Sequence, residues 1–343
     1  MYGDEIKTFT PDKNPAYKFS EVGLWLAYNE SGQIVGRVAA IINKLANEKW
    51  NHKEVRYGWL EFVDNQEVSQ ALIDKVIEFG KKRGMDRIVG PLGFTDFDAE
   101  GMVVEGFDQM ASFMLAYNYP YYPKHFEAMG FKKEIDWLEY KIYIPDEVPE
   151  RIVRISNLIQ QKYGYHYKTV TKKMVTKEGY GQKIFDLVNE CYGTLYNFTI
   201  LPQDVIDSYI DSYLGVLDMK YVSLVEDEND NLVAFGVAMP SLARAMQKCG
   251  GHLFPFGWIH AAKTLYFKHD EILELMLIGV KPEHRNKGLL AMIFNDMIPT
   301  LIKEGFEYAE SNAELENNMR IQNPWEMFKY EQKKRRRIYG KDI

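Results

Sequence analysis

The stretch from Glu274 to Gly305, ELMLIGVKPEHRNKGLLAMIFNDMIPTLIKEG, constrains the fold more than any other part of the chain. Glu274 to Val280 is short and mostly apolar, which predicts a buried strand. Pro282 has no N–H to give a ladder and ends that strand. Leu289, Leu290, Ile293, Met297 and Leu301 then return at helical spacing, and Gly305 supplies a stop. Between strand and helix lies Arg285-Asn286-Lys287-Gly288. A strand, a tight turn and a helix N-terminus aim backbone N–H groups and the positive end of a helix dipole at one point, which suits an anion. Gly288 lets the backbone come close to a phosphate, and Arg285 and Lys287 add positive charge. The turn predicts a pyrophosphate site. It carries neither GxxxxGK[ST] nor GxGxxG, so it is neither a Walker loop nor a dinucleotide fingerprint.

The order of elements around this unit occurs twice. Glu21 to Tyr28 and Gln33 to Ile42 read as a hairpin about Asn29-Glu30-Ser31-Gly32. Tyr57 to Val63 reads as a strand, Glu67 to Lys82 as an amphipathic helix closed by Gly84, and Arg87 to Gly90 as the returning strand. A short helix over His125 to Phe131, a strand over Trp137 to Ile144 and the boundary prolines Pro145 and Pro149 follow. Arg151 to Tyr163 predicts a connecting helix. In the second half, Ile184 to Tyr196 and Gln203 to Leu214 read as helices, and Tyr221 to Val225 with Leu232 to Met239 as a hairpin. The 274–305 unit and a strand over Tyr308 to Ser311 complete the order. Val35-Gly36-Arg37-Val38 and Val233-Ala234-Phe235-Gly236 hold equivalent places in the two hairpins. Strand-helix-strand units beside antiparallel hairpins imply an α/β fold with mixed central sheets flanked by helices. The repeat implies two domains, 1–148 and 168–343, with a linker helix region at 149–167.

The copies differ. Asn65-Gln66-Glu67-Val68 stand where the second copy has Arg285-Asn286-Lys287-Gly288. The glycine and the positive charge are missing, and a phosphate there would meet Asp64 and Glu67. The first domain is therefore expected to be degenerate and not to bind a cofactor in that place. It also lacks the opening strand and helix of its counterpart, and residues 1–19 are expected to be irregular.

Composition removes several classes of function. With 343 residues, 46% of them apolar and 14% aromatic, the chain can bury large cores. A formal net charge of −7 argues against nucleic-acid binding. Cys191 and Cys249 are the only cysteines and the seven histidines lack HExxH spacing, so neither a disulfide scaffold nor a metal is expected. The polar start MYGDEIKTFTPDKNP and the lack of an 18-residue apolar run give an expected cytoplasmic location. Peripheral contact with the inner membrane is left open.

Val280, Pro282, Arg285 and Gly288 resemble motif A of the Gcn5-related N-acetyltransferase (GNAT) superfamily, in which the turn amides bind the pyrophosphate of coenzyme A. Leu290 stands where a second small residue is usual. The strings Gly90-Pro91-Leu92-Gly93-Phe94-Thr95, Glu105-Gly106-Phe107-Asp108, Tyr117-Asn118-Tyr119-Pro120-Tyr121-Tyr122-Pro123 and Leu253-Phe254-Pro255-Phe256-Gly257 are similar to the bacterial ceramide synthase-like family, a group of double-domain members of that superfamily. The resemblance implies a tandem acyl-CoA N-acyltransferase fold and an acyl-CoA or acetyl-CoA cosubstrate. It also implies transfer of a fatty acyl group to the amine of a sphinganine-like long-chain base. A small amine, amino acid or peptide acceptor, or a non-catalytic acyl-CoA sensor or scaffold, stays open.

Within that resemblance, a splayed strand before the phosphate turn presents N–H groups to the thioester carbonyl. Leu277, Ile278, Gly279 and Val280 match it, and Arg285, Asn286, Lys287, Gly288 and Leu289 match the phosphate turn. Asn318 matches an asparagine near the pantetheine arm. Glu310 and Glu316, among the acidic residues after the next strand, are candidates to take the proton from the amine. Tyr330 is a candidate to protonate the leaving thiolate, by analogy with a tyrosine of relatives. The tyrosine-rich string at 117–122 suits either a ligand channel or a packed loop. Leu253 to Phe267 suits an acyl-binding lid, an interfacial segment or a packed insertion. The basic run Lys333 to Arg337 suits a cofactor phosphate, an anionic membrane or a solvated strand edge.

Overall fold

Each half of the chain lays one helix across a parallel strand pair, as a strand-helix-strand order requires. The computed structural model describes residues 2–212 and 217–343, with side chains from residue 5. The first half holds α1 (Tyr2–Thr8), β1 (Ser20–Tyr28), β2 (Ile34–Asn43), α2 (Lys44–Trp50), β3 (Glu54–Phe62), α3 (Gln66–Lys81), β4 (Arg87–Gly90), β5 (Met102–Glu105), α4 (Tyr121–Ala128) and β6 (Lys132–Tyr143). Helix α5 (Glu150–Tyr163) leads to the second half. There follow β7 (His166–Tyr167), α6 (Lys172–Lys177), α7 (Tyr180–Tyr192), α8 (Gln203–Ser212), β8 (Val222–Glu226), β9 (Leu232–Pro240), α9 (Ala243–Lys248) and α10 (Gly257–Tyr266). The chain ends with β10 (Ile272–Val280), α11 (Leu289–Glu304), β11 (Tyr308–Glu310), β12 (Glu314–Leu315), α12 (Met319–Gln322) and β13 (Tyr330–Asp342). The expected irregular start contains α1, whose Glu5 pairs with Arg37 of β2 at 2.8 Å. The expected helix over 203–214 is described to Ser212, and its last two positions lie outside the described residues.

Among the described residues the strands form one thirteen-stranded mixed sheet in the order β1-β2-β3-β4-β13-β6-β11-β10-β9-β8-β7, with β5 on β13 and β12 on β6. β3 and β4 are parallel, as are β10 and β11, and the hairpins β1–β2 and β8–β9 flank them. A glycine lies under the crossing helix in each half. A Cβ on Gly36 would come within 2.7 Å of Leu72 on α3, and one on Gly236 within 2.6 Å of Ile293 on α11.

The centre of the sheet is an exchange of strands. β13 lies between β4 and β6, whereas β6 lies between β13 and β11, so each half completes the other's sheet. This corrects the reading of Lys333 to Arg337 as a phosphate, membrane or solvated-edge segment. The run is central in β13, and its cations meet acids on neighbouring strands. Lys333 pairs with Glu310, Arg336 with Glu139, Arg337 with Asp136 at 2.8 Å, and Arg335 with Asp136 at 3.0 Å and Glu105 at 3.1 Å. Lys334 Nζ donates to Met110 O. Arg336 and Glu139 are buried, so each charge requires the other. The apolar core also crosses the halves: Ile41 and Phe94 share one cluster with Ile184, Phe185 and Val188 of α7. The string around Gly93 sits at this junction, where Arg56 donates to Gly93 O at 3.0 Å and to Asn197 O at 3.2 Å.

Candidate functional site

β10 pairs with β9 along its length, with a bulge between Leu275 and Leu277. Its ladder with β11 is confined to Ile272–Tyr308, Leu273–Ala309 and Glu274–Glu310. β11 ends at Glu310, so beyond Glu274 the residues Leu277, Ile278, Gly279 and Val280 pair with β9 alone, and their other side forms one wall of a candidate cleft. The peptide groups of Ile278 meet a side chain instead of a strand. Ile278 N–H donates to the Tyr192 hydroxyl at 3.2 Å, and that hydroxyl donates to Ile278 O at 3.0 Å. Gly279 has no room for a side chain, since a Cβ there would lie 2.5 Å from the Phe235 ring and 3.0 Å from Cys191 Sγ.

The turn that follows places Asn286 at φ 64 and Gly288 at φ 89, both left-handed. Arg285 N–H donates to Pro282 O and Ala291 N–H to Gly288 O. The amides of Asn286, Lys287, Gly288, Leu289 and Leu290 have no acceptor among the described residues. The N-cap position of α11 is Gly288, with no side chain to fill the helix terminus. The first half shows the contrast: Asn65 caps α3 by accepting from the amides of Glu67 and Val68 at 2.8 and 3.4 Å. Its helix terminus is satisfied internally, and α11's is open to an anion.

Arg285 and Lys287, expected to add positive charge at the turn, both have partners within the chain. The Arg285 guanidinium donates to Cys191 O at 3.0 Å and Val280 O at 3.4 Å, tying the turn to α7. Lys287 Nζ lies over the rings of Tyr163 and Tyr165 at 5.5 and 6.0 Å. Gly288 also has a packing role, because a Cβ there would come within 2.9 Å of Ile155 on α5.

Several carboxyl groups border the cleft. Glu314, on β12, accepts from Trp325 Nε1 at 3.1 Å. Burial pushes its pKa up to about 8, despite the opposing hydrogen bonds from Trp325 and Ser311. It is close enough to Tyr192 to perturb that hydroxyl. Glu310 lies at the point where the strands part, opposite Glu274, and both are buried. Glu310 is held by Lys333, whereas Glu274 accepts from Ser241 at 2.6 Å and from the Phe113 amide at 3.2 Å, and burial raises its pKa. A narrow crevice here is walled by Ser112, Met114, Met276 and Asn312.

The remaining candidates follow β12 in the chain. Glu316 pairs with Lys133 at 2.8 Å and accepts from the Asp136 amide at 3.2 Å, within the ion network of β6 and β13. The Tyr330 ring packs edge-on against Tyr140 at 5.8 Å, and its hydroxyl makes no hydrogen bond among the described residues. Asn318 precedes α12 without capping it by a side-chain bond. Sequence reasoning did not single out Tyr192, which lies against Ile278 with Glu314 near it, or Glu274, which lines the narrow crevice beside Met276. Glu274 had a signal in the sequence, a charge inside an apolar run. Tyr192 had none, because only tertiary packing carries α7 to β10.

The tyrosine-rich string packs within the first half. The Tyr122 hydroxyl accepts from the Phe62 amide at 3.1 Å and the Tyr121 hydroxyl donates to Phe62 O, closing the open edge of β3. Among the described residues, His166, Glu226 and Asp230 bring potential metal-ligand atoms within 4.8 Å of one another on the β7–β8 edge. Lys168 Nζ already lies 3.4 Å from Glu226 there.

The chain is 26% identical over 341 residues to Protein YghO of Escherichia coli (strain K12), covering 96% of this chain and 85% of that one. It is 24% identical over 286 residues to the bacterial ceramide synthase of Caulobacter vibrioides, covering 82% and 72% respectively. No family model matches it. Among solved structures, it is similar to a fungal multi-domain β-N-acetylglucosaminidase with a GCN5-related glucosamine N-acetyltransferase region. That likeness has a TM-score of 0.56 at 13% identity and covers 93% of this chain but 33% of the longer one. A tandem GNAT protein from the clavulanic acid biosynthesis pathway gives a TM-score of 0.52 at 13% identity, over 94% of this chain and 83% of that one. The architecture is the tandem GNAT-type fold, a large mixed sheet flanked by helices.

Proposed function

We propose that this chain is an acyl-coenzyme A-dependent N-acyltransferase acting on the amine of a sphinganine-like long-chain base. One observation carries the reading: a splayed strand runs directly into a helix terminus left uncapped by Gly288, with Glu314 beside the splay. The turn amides from Asn286 to Leu290 would hold the pyrophosphate, and the Ile278 amide would polarise the thioester carbonyl. The likeness to a bacterial ceramide synthase supports the lipid acceptor.

The chemistry needs a neutral amine held against the carbonyl carbon. The amine nitrogen bonds to that carbon, the carbon–sulfur bond breaks, and the sulfur leaves as the coenzyme A thiolate. The proton lost by the nitrogen passes to Glu314, which hands it on to the thiolate, giving an amide and free coenzyme A and returning Glu314 to its carboxylate. A carboxyl group with a pKa near 8 suits this task better than one locked in an ion pair, as Glu310 is with Lys333.

The test is thiol release from acyl-coenzyme A with a long-chain base or a short amine, together with mass detection of the amide. The expected result is strong preference for the long-chain base. Equal turnover of both acceptors would leave a general N-acyltransferase. Tight acyl-coenzyme A binding with no amide from any acceptor would favour a sensor or scaffold.

A further inference from the structure

The segment from Ala243 to His269 has a surface chemistry unlike the rest of the chain. It forms α9, α10 and their connection. Ala261 and Leu265 of α10 turn inward and pack on the cluster that includes Met276 and Leu277 of the splayed strand. Away from that cluster stand Phe254 (81% exposed), Phe256 (72%), Trp258 (50%), Ile259 (46%), Tyr266 (61%) and Phe267 (85%). Apolar side chains scattered singly over a surface need no explanation, but six within fourteen residues of one segment form a patch.

Charge identifies what covers it. The chain has 49 acidic residues and a net charge of −7, yet no Asp or Glu occurs between Ala243 and His269. Lys248, Lys263 and Lys268 are exposed and have no acidic partner among the described residues, while Arg244 is paired with Glu271 at 2.7 Å. Exposed rings beside unpaired lysines match a headgroup boundary, where the rings enter the acyl region and the ammonium groups meet phosphates. A second copy of the chain would set the same lysines against each other. A lid over the cleft would bury its rings, whereas here Ala261 and Leu265 pack inward and Phe254, Phe256 and Phe267 are largely exposed.

We propose that the α9–α10 segment docks this protein on an anionic phospholipid bilayer. No helix among the described residues is long and apolar enough to cross a membrane, so the contact is interfacial. The docked segment rests on the same apolar cluster as Met276 and Leu277, which places the bilayer beside the candidate cleft.

Co-sedimentation of the full chain with phosphatidylcholine vesicles, with and without phosphatidylglycerol, tests the proposal without any acyl-coenzyme A. Its outcome is thus separate from that of the acyltransferase reading. Binding is expected on the phosphatidylglycerol vesicles, weakening with added salt. Phe254→Ser with Phe256→Ser and Phe267→Ser should reduce it by about tenfold or more, and these exposed positions leave the fold unchanged by circular dichroism. Lys263→Ala with Lys268→Ala should remove most of the salt dependence. Brominated lipid should quench the wild-type tryptophan fluorescence, and that quenching should be lost in Trp258→Phe. Absence of binding, equal binding to neutral and anionic vesicles, or a solution dimer abolished by the triple serine variant would each overturn the proposal.

Discussion

The Tyr192 hydroxyl holds both peptide groups of Ile278, accepting from the amide at 3.2 Å and donating to the carbonyl at 3.0 Å. A strand edge that a neighbouring strand would normally satisfy is closed by one side chain. Tyr192→Phe leaves the Ile278 groups without partners and should destabilise the fold by about 1–3 kcal/mol. A thioester that reaches the amide restores one of them. In thermal melts, acyl-coenzyme A should therefore raise the midpoint of Tyr192→Phe more than that of the wild type. Equal shifts would show that the ligand does not reach Ile278.

Glu314 gives the account a pH signature. Its folded-state pKa, raised to about 8, lies above the ordinary carboxylate value. The fold thus favours the protonated form, and its contribution to stability is full below the ordinary value. That contribution is lost as pH rises toward 8. Glu314→Gln should flatten this decline and be the more stable protein above pH 8, as measured by melting across pH. If Glu314 is the base, wild-type kcat/KM rises with pH up to about 8 and Glu314→Gln loses on the order of 10²–10⁴-fold. A glutamine variant with wild-type activity and pH profile would remove Glu314 from the chemistry.

Gly288 serves packing as well as the turn. Gly288→Ala combines φ 89 with a Cβ only 2.9 Å from Ile155. It should lose about 1–2 kcal/mol of stability even without ligand. In an Ile155→Ala background the same glycine substitution should still cost more than half as much, because the left-handed backbone remains. Denaturant titration of the single and double variants measures both effects, and a neutral Gly288→Ala would contradict this geometry.

The strand exchange predicts a single cooperative unit. Arg336→Met leaves Glu139 buried without its cation, which should cost about 3–5 kcal/mol. Arg336→Met with Glu139→Leu should restore much of it. Both halves should unfold in one transition in wild type, since β6 and β13 join them. A small effect of Arg336→Met, or separate transitions for the two halves, would speak against it.

Local periodicity was enough to read most of the elements. The expected strand over Arg87 to Gly90 and the helix over Arg151 to Tyr163 match β4 and α5 closely. The turn after Val280 was legible because proline, glycine and helical spacing are local signals. β13 was not, since five adjacent cations read as solvated. The acids that neutralise them, Glu105, Asp136, Glu139 and Glu310, are scattered through the sequence and meet them only in the folded sheet. Spacing likewise could not separate Glu314 from Glu310 and Glu316. What distinguishes it is enclosure beside Trp325, while Lys333 and Lys133 occupy the other two.

The position of the pyrophosphate in a structure with acyl-coenzyme A bound decides between these readings of the turn. The pyrophosphate is expected on the amides from Asn286 to Leu290, the thioester carbonyl at the Ile278 amide, and no ligand at the Asn65-capped start of α3. Pyrophosphate at α3, or acyl-coenzyme A bound away from the cleft between β10 and β11, would contradict it.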